Sequence, residues 1–196
     1  MASAMRTDVA DADAEVLDGL DAQQVDMMAE AVILVDEHDR PLGRASKVSA
    51  HRGAGAYHRA FSVMLFDEQD RLLLQRRADD KITFPGIWAN TCCSHPLDVP
   101  EEQEERDGLG VRRAAVRKLK QELGITSVSV DDLTHVGRFR YQARQDETWI
   151  EREVDHLLVG RVKDLDVKPN PNEVAEVRWV SQDGMEAMLI EEDPEH

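Results

Sequence analysis

Residues 31–36 (AVILVD) form a short apolar run closed by the turn-like stretch EHDRPLG, which predicts a buried strand entering a hairpin. Residues 60–66, the turn DEQD and residues 71–77 repeat the pattern more strongly and predict a second hairpin. Farther along, Val111, Ala114, Ala115, Leu119 and Leu123 recur at the spacing of one helix face, with Gly124 where helices commonly stop. A helix over 111–123 follows, preceded by an acidic connector over 98–110. Residues 134–141, 154–162 and 174–180 have the pattern of three further strands, and 182–190 that of a closing helix. Strands dominate, with one helix inserted among them and another at the end. That order is expected of an α+β domain with a mixed sheet.

The first 29 residues behave differently. They are rich in Ala and Asp, hold no proline or aromatic residue, and carry only weak helical spacing at Val16, Leu17, Leu20 and Val25. They are expected to be an acidic extension, disordered or loosely docked, ahead of one compact domain spanning 30–196.

Composition narrows the class. No apolar run in the 196 residues approaches the roughly 20 needed to cross a bilayer, and the N-terminus lacks a basic-then-apolar secretion pattern. Forty acidic against 24 basic side chains give a net charge of −16, which repels nucleic acid and anionic membrane alike. Only six of the basic residues are lysine (Lys47, Lys81, Lys118, Lys120, Lys163 and Lys168), and so acidic and lysine-poor a surface is one that tolerates concentrated salt. An acidic tail on an ordinary protein is the alternative, since residues 8–26 supply part of the excess. Cys92 and Cys93 are adjacent and are the chain's only cysteines, so no disulfide framework or Cys-based zinc site is available. Free thiols suit a reducing compartment, and the expected location is the cytoplasm.

Candidate chemistry concentrates around FPGIWANTCCSHP (84–96). If this stretch is extended, Cys93 and His95 share a face. His51 and His58 lie in the glycine-rich HRGAGAYH, and Glu151 and Glu153 alternate in WIEREVDH, so a strand there would set both carboxylates on one side. Together with His95 they form a donor set suited to a divalent transition metal, and converging carboxylates need such a cation. Lys47, Arg76, Arg77 and Lys81 make a local basic patch for an anion such as phosphate. On the 111–123 helix, Lys118 and Glu122 share a face. They are either a surface pair or, if that face lines the pocket, a lysine beside a carboxylate for Mg²⁺ on a diphosphate.

RKLKQELGI (117–125) resembles a degraded Nudix box, REUXEEXGU with U apolar. Arg117, Leu119, Glu122, Gly124 and Ile125 match, whereas Lys118 and Gln121 stand where hydrolases place glutamates, and the glycine and glutamate of the front half are absent at the required spacing. The wider pattern covers SAH, YHRAFSV, LLLQRRADDKITFPGIWANTCCSHP, the helix, FRYQA and WIEREVD. From about residue 31 to 180 it closely resembles type I isopentenyl diphosphate isomerase, in that family's longer, eukaryote-like branch.

That resemblance implies a Nudix-like mixed sheet sandwiched by helices and an isomerase interconverting isopentenyl and dimethylallyl diphosphate. It carries the metal site onto His51, His58, His95, Glu151 and Glu153, for one Mn²⁺, Zn²⁺ or Fe²⁺ ion. It carries the catalytic cysteine onto Cys93, the second acid/base onto Glu153 and the neighbouring tyrosine onto Tyr141. The diphosphate grip falls on Lys47, Arg77, Lys81 and Lys118, and the Mg²⁺ carboxylate on Glu122. The implied partner is a small prenyl diphosphate, with no nucleic acid or membrane, and the implied state is a monomer. A Nudix-type diphosphohydrolase and a silent diphosphate- or metal-binding module are the alternatives; a single surviving box glutamate disfavours hydrolysis. Family members continue into a helix whose Pro-Trp segment covers the hydrocarbon, whereas this chain stops at EEDPEH, so it is expected to be a fragment of a longer protein or to supply the cover differently.

Overall fold

The structure, a computed structural model, describes residues 16–192. Its strands are β1 (Ala31–Val35), β2 (Pro41–Ser46), β3 (His58–Phe66), β4 (Leu72–Arg77), β5 (Trp88–Ala89), β6 (Cys92–Ser94), β7 (Thr134–Arg144), β8 (Ile150–Arg161) and β9 (Val174–Val180). Its helices are α1 (Ala22–Met28), the short α2 (Lys47–Ala50), α3 (Leu109–Leu123) and α4 (Gln182–Glu192). All nine strands join one mixed sheet.

Strand β3 is its hub. It runs parallel to β8 from His58↔Glu153 to Phe66↔Arg161, and β7 continues the sheet antiparallel beyond β8. On its other edge Phe61, Ser62 and Val63 pair with Ser94, Cys93 and Cys92 of β6. This corrects the second expected hairpin. The turn forms, but β3 and β4 pair only at Phe66↔Leu72, and β4 spends its length against β9 and β5. With β6 on the edge of β3 that β4 would have needed, the two strands splay, and the site occupies the opening.

Parity on β3 separates core from site. Phe61, Val63 and Leu65 face α3 and pack with Val111, Ala114, Ala115, Leu119 and Leu123, whereas His58 and Ser62 fall on the other side. The helix starts at Leu109, two residues before the apolar spacing begins, after a 3-10 turn at Arg106–Gly108. It ends at Gly124, whose φ of 65° lies in the left-handed region; a Cβ there would meet Lys168 O at 2.8 Å.

Of the two forms expected for the N-terminal extension, its described part takes the docked, helical one. Residues 1–15 lie outside the described residues, but from Val16 onward the chain docks. Asp21 caps α1 by accepting from the Gln23 and Gln24 amides, and Met28 packs with Val48, Ile82 and Trp149. Buried Gln24 donates to Asn172 O and Oδ1, both at 2.9 Å. A side-chain amide held at both acceptors makes this segment a wall of the domain.

Candidate active site

A cavity of about 310 Å³ opens where the strands splay. Cys93 and Ser62 reach it from the paired β6 and β3, Glu151, Glu153 and Asp155 from alternate positions of β8, and Tyr141 and Phe139 from β7. Lys118 and Glu122 come from α3, Lys47 from α2, and Met27 and Met28 from α1. The extended conformation expected around the cysteines is present, and it gives them opposite fates. Cys92 is buried against the α3 core, 3.6 Å from Glu122 Oε2, while Cys93 lines the cavity.

Ligand atoms of His51, His58, His95 and Glu153 lie within 4.8 Å of one another. His51 caps α2 and directs Nδ1 to Lys47 O at 2.7 Å; His58 directs Nδ1 to Ala56 O at 2.8 Å. A carbonyl can only accept, so each ring carries its proton on Nδ1 and turns the Nε2 lone pair the other way. His58 Nε2 is buried without a hydrogen-bond partner and lies 3.4 Å from Glu153 Oε1. A buried ring nitrogen left without a partner beside a carboxylate oxygen is a donor pair that a cation would satisfy, so the cluster fits a divalent metal. His95 Nε2 sits 2.8 Å from the same oxygen.

Burial lowers the basicity of two of these rings, His51 well below the ordinary imidazole range and His95 to about 4, which keeps these two neutral as ligands must be. Burial would raise Glu153, but the His58 and His95 rings packed against it prevail and lower it from the usual carboxylate range. Glu151 is the one expected ligand outside this cluster. It lines the cavity two residues away on the same strand face, and burial with the neighbouring Glu153 charge pushes it up to about 8.

Burial also pushes the Cys93 thiol up to about 12, with the Asp155 charge adding to the shift, so it carries its proton at neutral pH. Tyr141 stands directly across from Glu153 in the β7–β8 pairing, its phenol raised to about 12 by burial and by Glu151 and Glu153. Among the described residues its hydroxyl makes no hydrogen bond to that carboxylate.

The four side chains expected to hold an anion line one cavity. Lys47, Arg77, Lys81 and Lys118 all line the cavity, each engaged with a protein acceptor. Lys47 pairs with Glu30 at 2.5 Å, Lys118 with Glu122 at 3.0 Å, and Lys81 with the buried Glu173. The Arg77 guanidinium donates to Thr83 O and Phe84 O, so it braces the 83–84 turn as well as facing the cavity. Arg76, of the expected basic patch, does not line this cavity and pairs with Asp79 at 2.7 Å. Burial would raise Glu122, but Lys118 and Lys81 hold it at about 2, an ionised carboxylate on the cavity wall. The alternative of a surface pair for Lys118 and Glu122 is thereby excluded.

The sequence reading missed Ser62, Asp155 and Glu173, although two carried a signal. Ser62 interrupts an otherwise apolar strand, and Asp155 extends the Glu151, Glu153 alternation by one step. Among the described residues no helix is long and apolar enough to cross a membrane.

The NUDIX domain family model matches residues 56–196. Isopentenyl-diphosphate Delta-isomerase 1 of Bos taurus is 46% identical over 178 residues, covering 88% of this chain and 78% of its own. Isopentenyl-diphosphate delta-isomerase of Aspergillus fumigatus is 45% identical over 196 residues, 91% of this chain and 70% of its own. Among solved structures, a Deinococcus radiodurans protein superposes with a TM-score of 0.57 at 19% identity, over 83% of this chain and 90% of its own. That last likeness speaks for the fold alone.

Proposed function

The chain belongs to the isopentenyl-diphosphate delta-isomerases of the Nudix superfamily, and from that premise we propose how its residues divide the work. The reaction interconverts isopentenyl and dimethylallyl diphosphate. It adds a proton at one end of an allylic unit and removes one from the other, so protons and charge balance across the turnover. An alkene is a feeble base and the tertiary cation it forms is destroyed by water. The cavity must therefore supply an acid, a base on the opposite side and shelter from solvent.

Cys93 and Glu153 are that pair, one on each face of the planar alkene. One delivers a proton to the terminal methylene, the other removes one from the methylene nearer the oxygen, and the roles exchange in reverse. The observation that carries this reading is their convergence on one cavity, a protonated thiol facing an ionised carboxylate, with four cationic side chains at the same cavity for the diphosphate. Tyr141, opposite Glu153, presents a π face to the cation. Lys47, Lys81, Lys118 and Arg77 exchange their present acceptors for diphosphate oxygens and orient the substrate without touching the reacting carbons. The substrate enters as its Mg²⁺ complex, met by Glu122.

His51, His58, His95 and Glu153, with Glu151 as a further donor, would hold one divalent ion, which supplies control over the orientation and proton affinity of the Glu153 carboxyl. The mixed nitrogen and oxygen set suits Mn²⁺, Zn²⁺ or Fe²⁺. Two free thiols accord with a reducing cytoplasm as the place of action.

The adjacent cysteines test the assignment within one protein. Cys93→Ala should abolish isomerisation, while Cys92→Ala, on the core face, should cost far less turnover. Equal losses would sink the role given to Cys93.

A further inference from the structure

Cys93 is not alone on its side of the cavity. Ser62 is its direct partner across the β3–β6 pairing, and Ser62 Oγ lies 3.6 Å from Cys93 Sγ. The same hydroxyl lies 2.8 Å from Asp155 Oδ2, to which it donates, and both Ser62 and Asp155 are buried. A serine hydroxyl has one proton and two lone pairs. With the proton committed to Asp155, what remains toward the sulfur is a lone pair, and the thiol is the group that must donate.

Resting on the reading of Cys93 as an acid/base above, we propose that Ser62, anchored by Asp155, is a positioning residue that accepts the Cys93 S–H and fixes the thiol in one rotamer with its sulfur toward the substrate.

The geometry gives this device a purpose. A cysteine has a single side-chain torsion above its S–H, and an unheld thiol would sample several rotamers across a cavity of this size. Proton exchange with carbon demands close and aligned approach, so a thiol held in one orientation starts nearer the reactive geometry. Cys92 shows the contrast: its side chain is buried in the core packed against α3, and its S–H is directed to Glu122 Oε2 at 3.6 Å. The site has thus sorted two adjacent thiols by giving each a different acceptor. A serine in the middle of the apolar run AFSVMLF is otherwise a costly residue to bury, and the Asp155 bond accounts for how it is tolerated.

The test combines infrared spectroscopy with steady-state kinetics on the full chain. The S–H stretching band of Cys93 is isolated as the difference between the protein and Cys93→Ala, with the Cys92 band as internal reference. Ser62→Ala should move the Cys93 band to higher frequency, as expected for a lost hydrogen bond, and lower kcat about tenfold with KM within about twofold. Ser62→Thr, which keeps the hydroxyl, should restore both. A lowered thermal midpoint with an unmoved band would show a merely structural serine and overturn the inference, as would an unchanged kcat. Should the added methyl of threonine perturb the strand, the band position in Ser62→Ala still decides. The two levels of reading fail separately. A Cys93→Ala enzyme that still isomerises removes the role of Cys93 itself, whereas a dead Cys93→Ala beside an unimpaired Ser62→Ala removes only the positioning role of Ser62.

Discussion

Replacing Glu122 by Gln removes the charge from a buried pair while nearly preserving shape. Lys118 Nζ and Glu122 Oε1 are 3.0 Å apart with side chains 3% and 4% exposed. At an effective dielectric of about 20, two unit charges at that separation attract by about 5 kcal/mol, of which desolvation takes back several. Deleting one partner leaves the other charge buried and unpaired, so the expected cost is about 3 kcal/mol. For a chain of this size that lowers the thermal midpoint by roughly 6–12 °C. The pH dependence is equally specific. Because Lys118 and Lys81 overcome burial and hold Glu122 at about 2, below its ordinary 4.5, its contribution is complete above pH 4.5 and is lost as pH falls through about 2. Glu122→Gln should erase that part of the acid profile. The assay is the thermal midpoint by circular dichroism at neutral pH, for Glu122→Gln, Lys118→Met and the double variant. The double variant should lose clearly less than the sum of the two, since each single change strands the other group. Additive losses, or a single loss below about 1 kcal/mol, would refute the electrostatic account of this wall.

Removing metal should remove activity: prolonged chelation is expected to strip one tightly held divalent ion and abolish turnover, and re-addition of Mn²⁺, Zn²⁺ or Fe²⁺ should restore it. A verified metal-free preparation that turns over normally would contradict the histidine cluster as a metal centre. His58→Ala should lower metal occupancy measured by elemental analysis, because its buried Nε2 has no other partner. With a net charge of −16, the thermal midpoint should rise with KCl as the Debye length shrinks from about 30 Å at 0.01 M to about 3 Å at 1 M. Apparent substrate affinity should fall over the same series, since screening weakens the cationic grip. A midpoint indifferent to salt would assign the acidic residues no part in stability.

Much of this was legible in the sequence because it follows from period and parity. The 3.6 spacing of Val111 to Leu123 located α3, and alternation in β8 placed Glu151 and Glu153 on one face. What resisted reading depended on competition between distant segments. The turn DEQD does connect β3 to β4, yet nothing local shows that β6 takes the adjoining edge of β3 and forces the splay that opens the cavity. The docking of α1 was hidden for a similar reason, since Gln24 is secured by Asn172, 148 residues away. At the site, residue types pointed to His51, His58, His95, Glu151 and Glu153, but spacing alone could not show that Glu151, on the same strand face as Glu153, stands apart from the four clustered ligand atoms. Arg76 and Arg77 looked alike in the chain; strand alternation sent one to the cavity and the other to Asp79.

The central claim is that this cavity moves protons on carbon and leaves the diphosphate intact. Incubation with isopentenyl diphosphate in deuterated water, followed by mass spectrometry and NMR, tests it directly. The account predicts dimethylallyl diphosphate carrying deuterium in a methyl group, with no inorganic phosphate released. Phosphate release without that product, or tight binding with no deuterium incorporated, would contradict it.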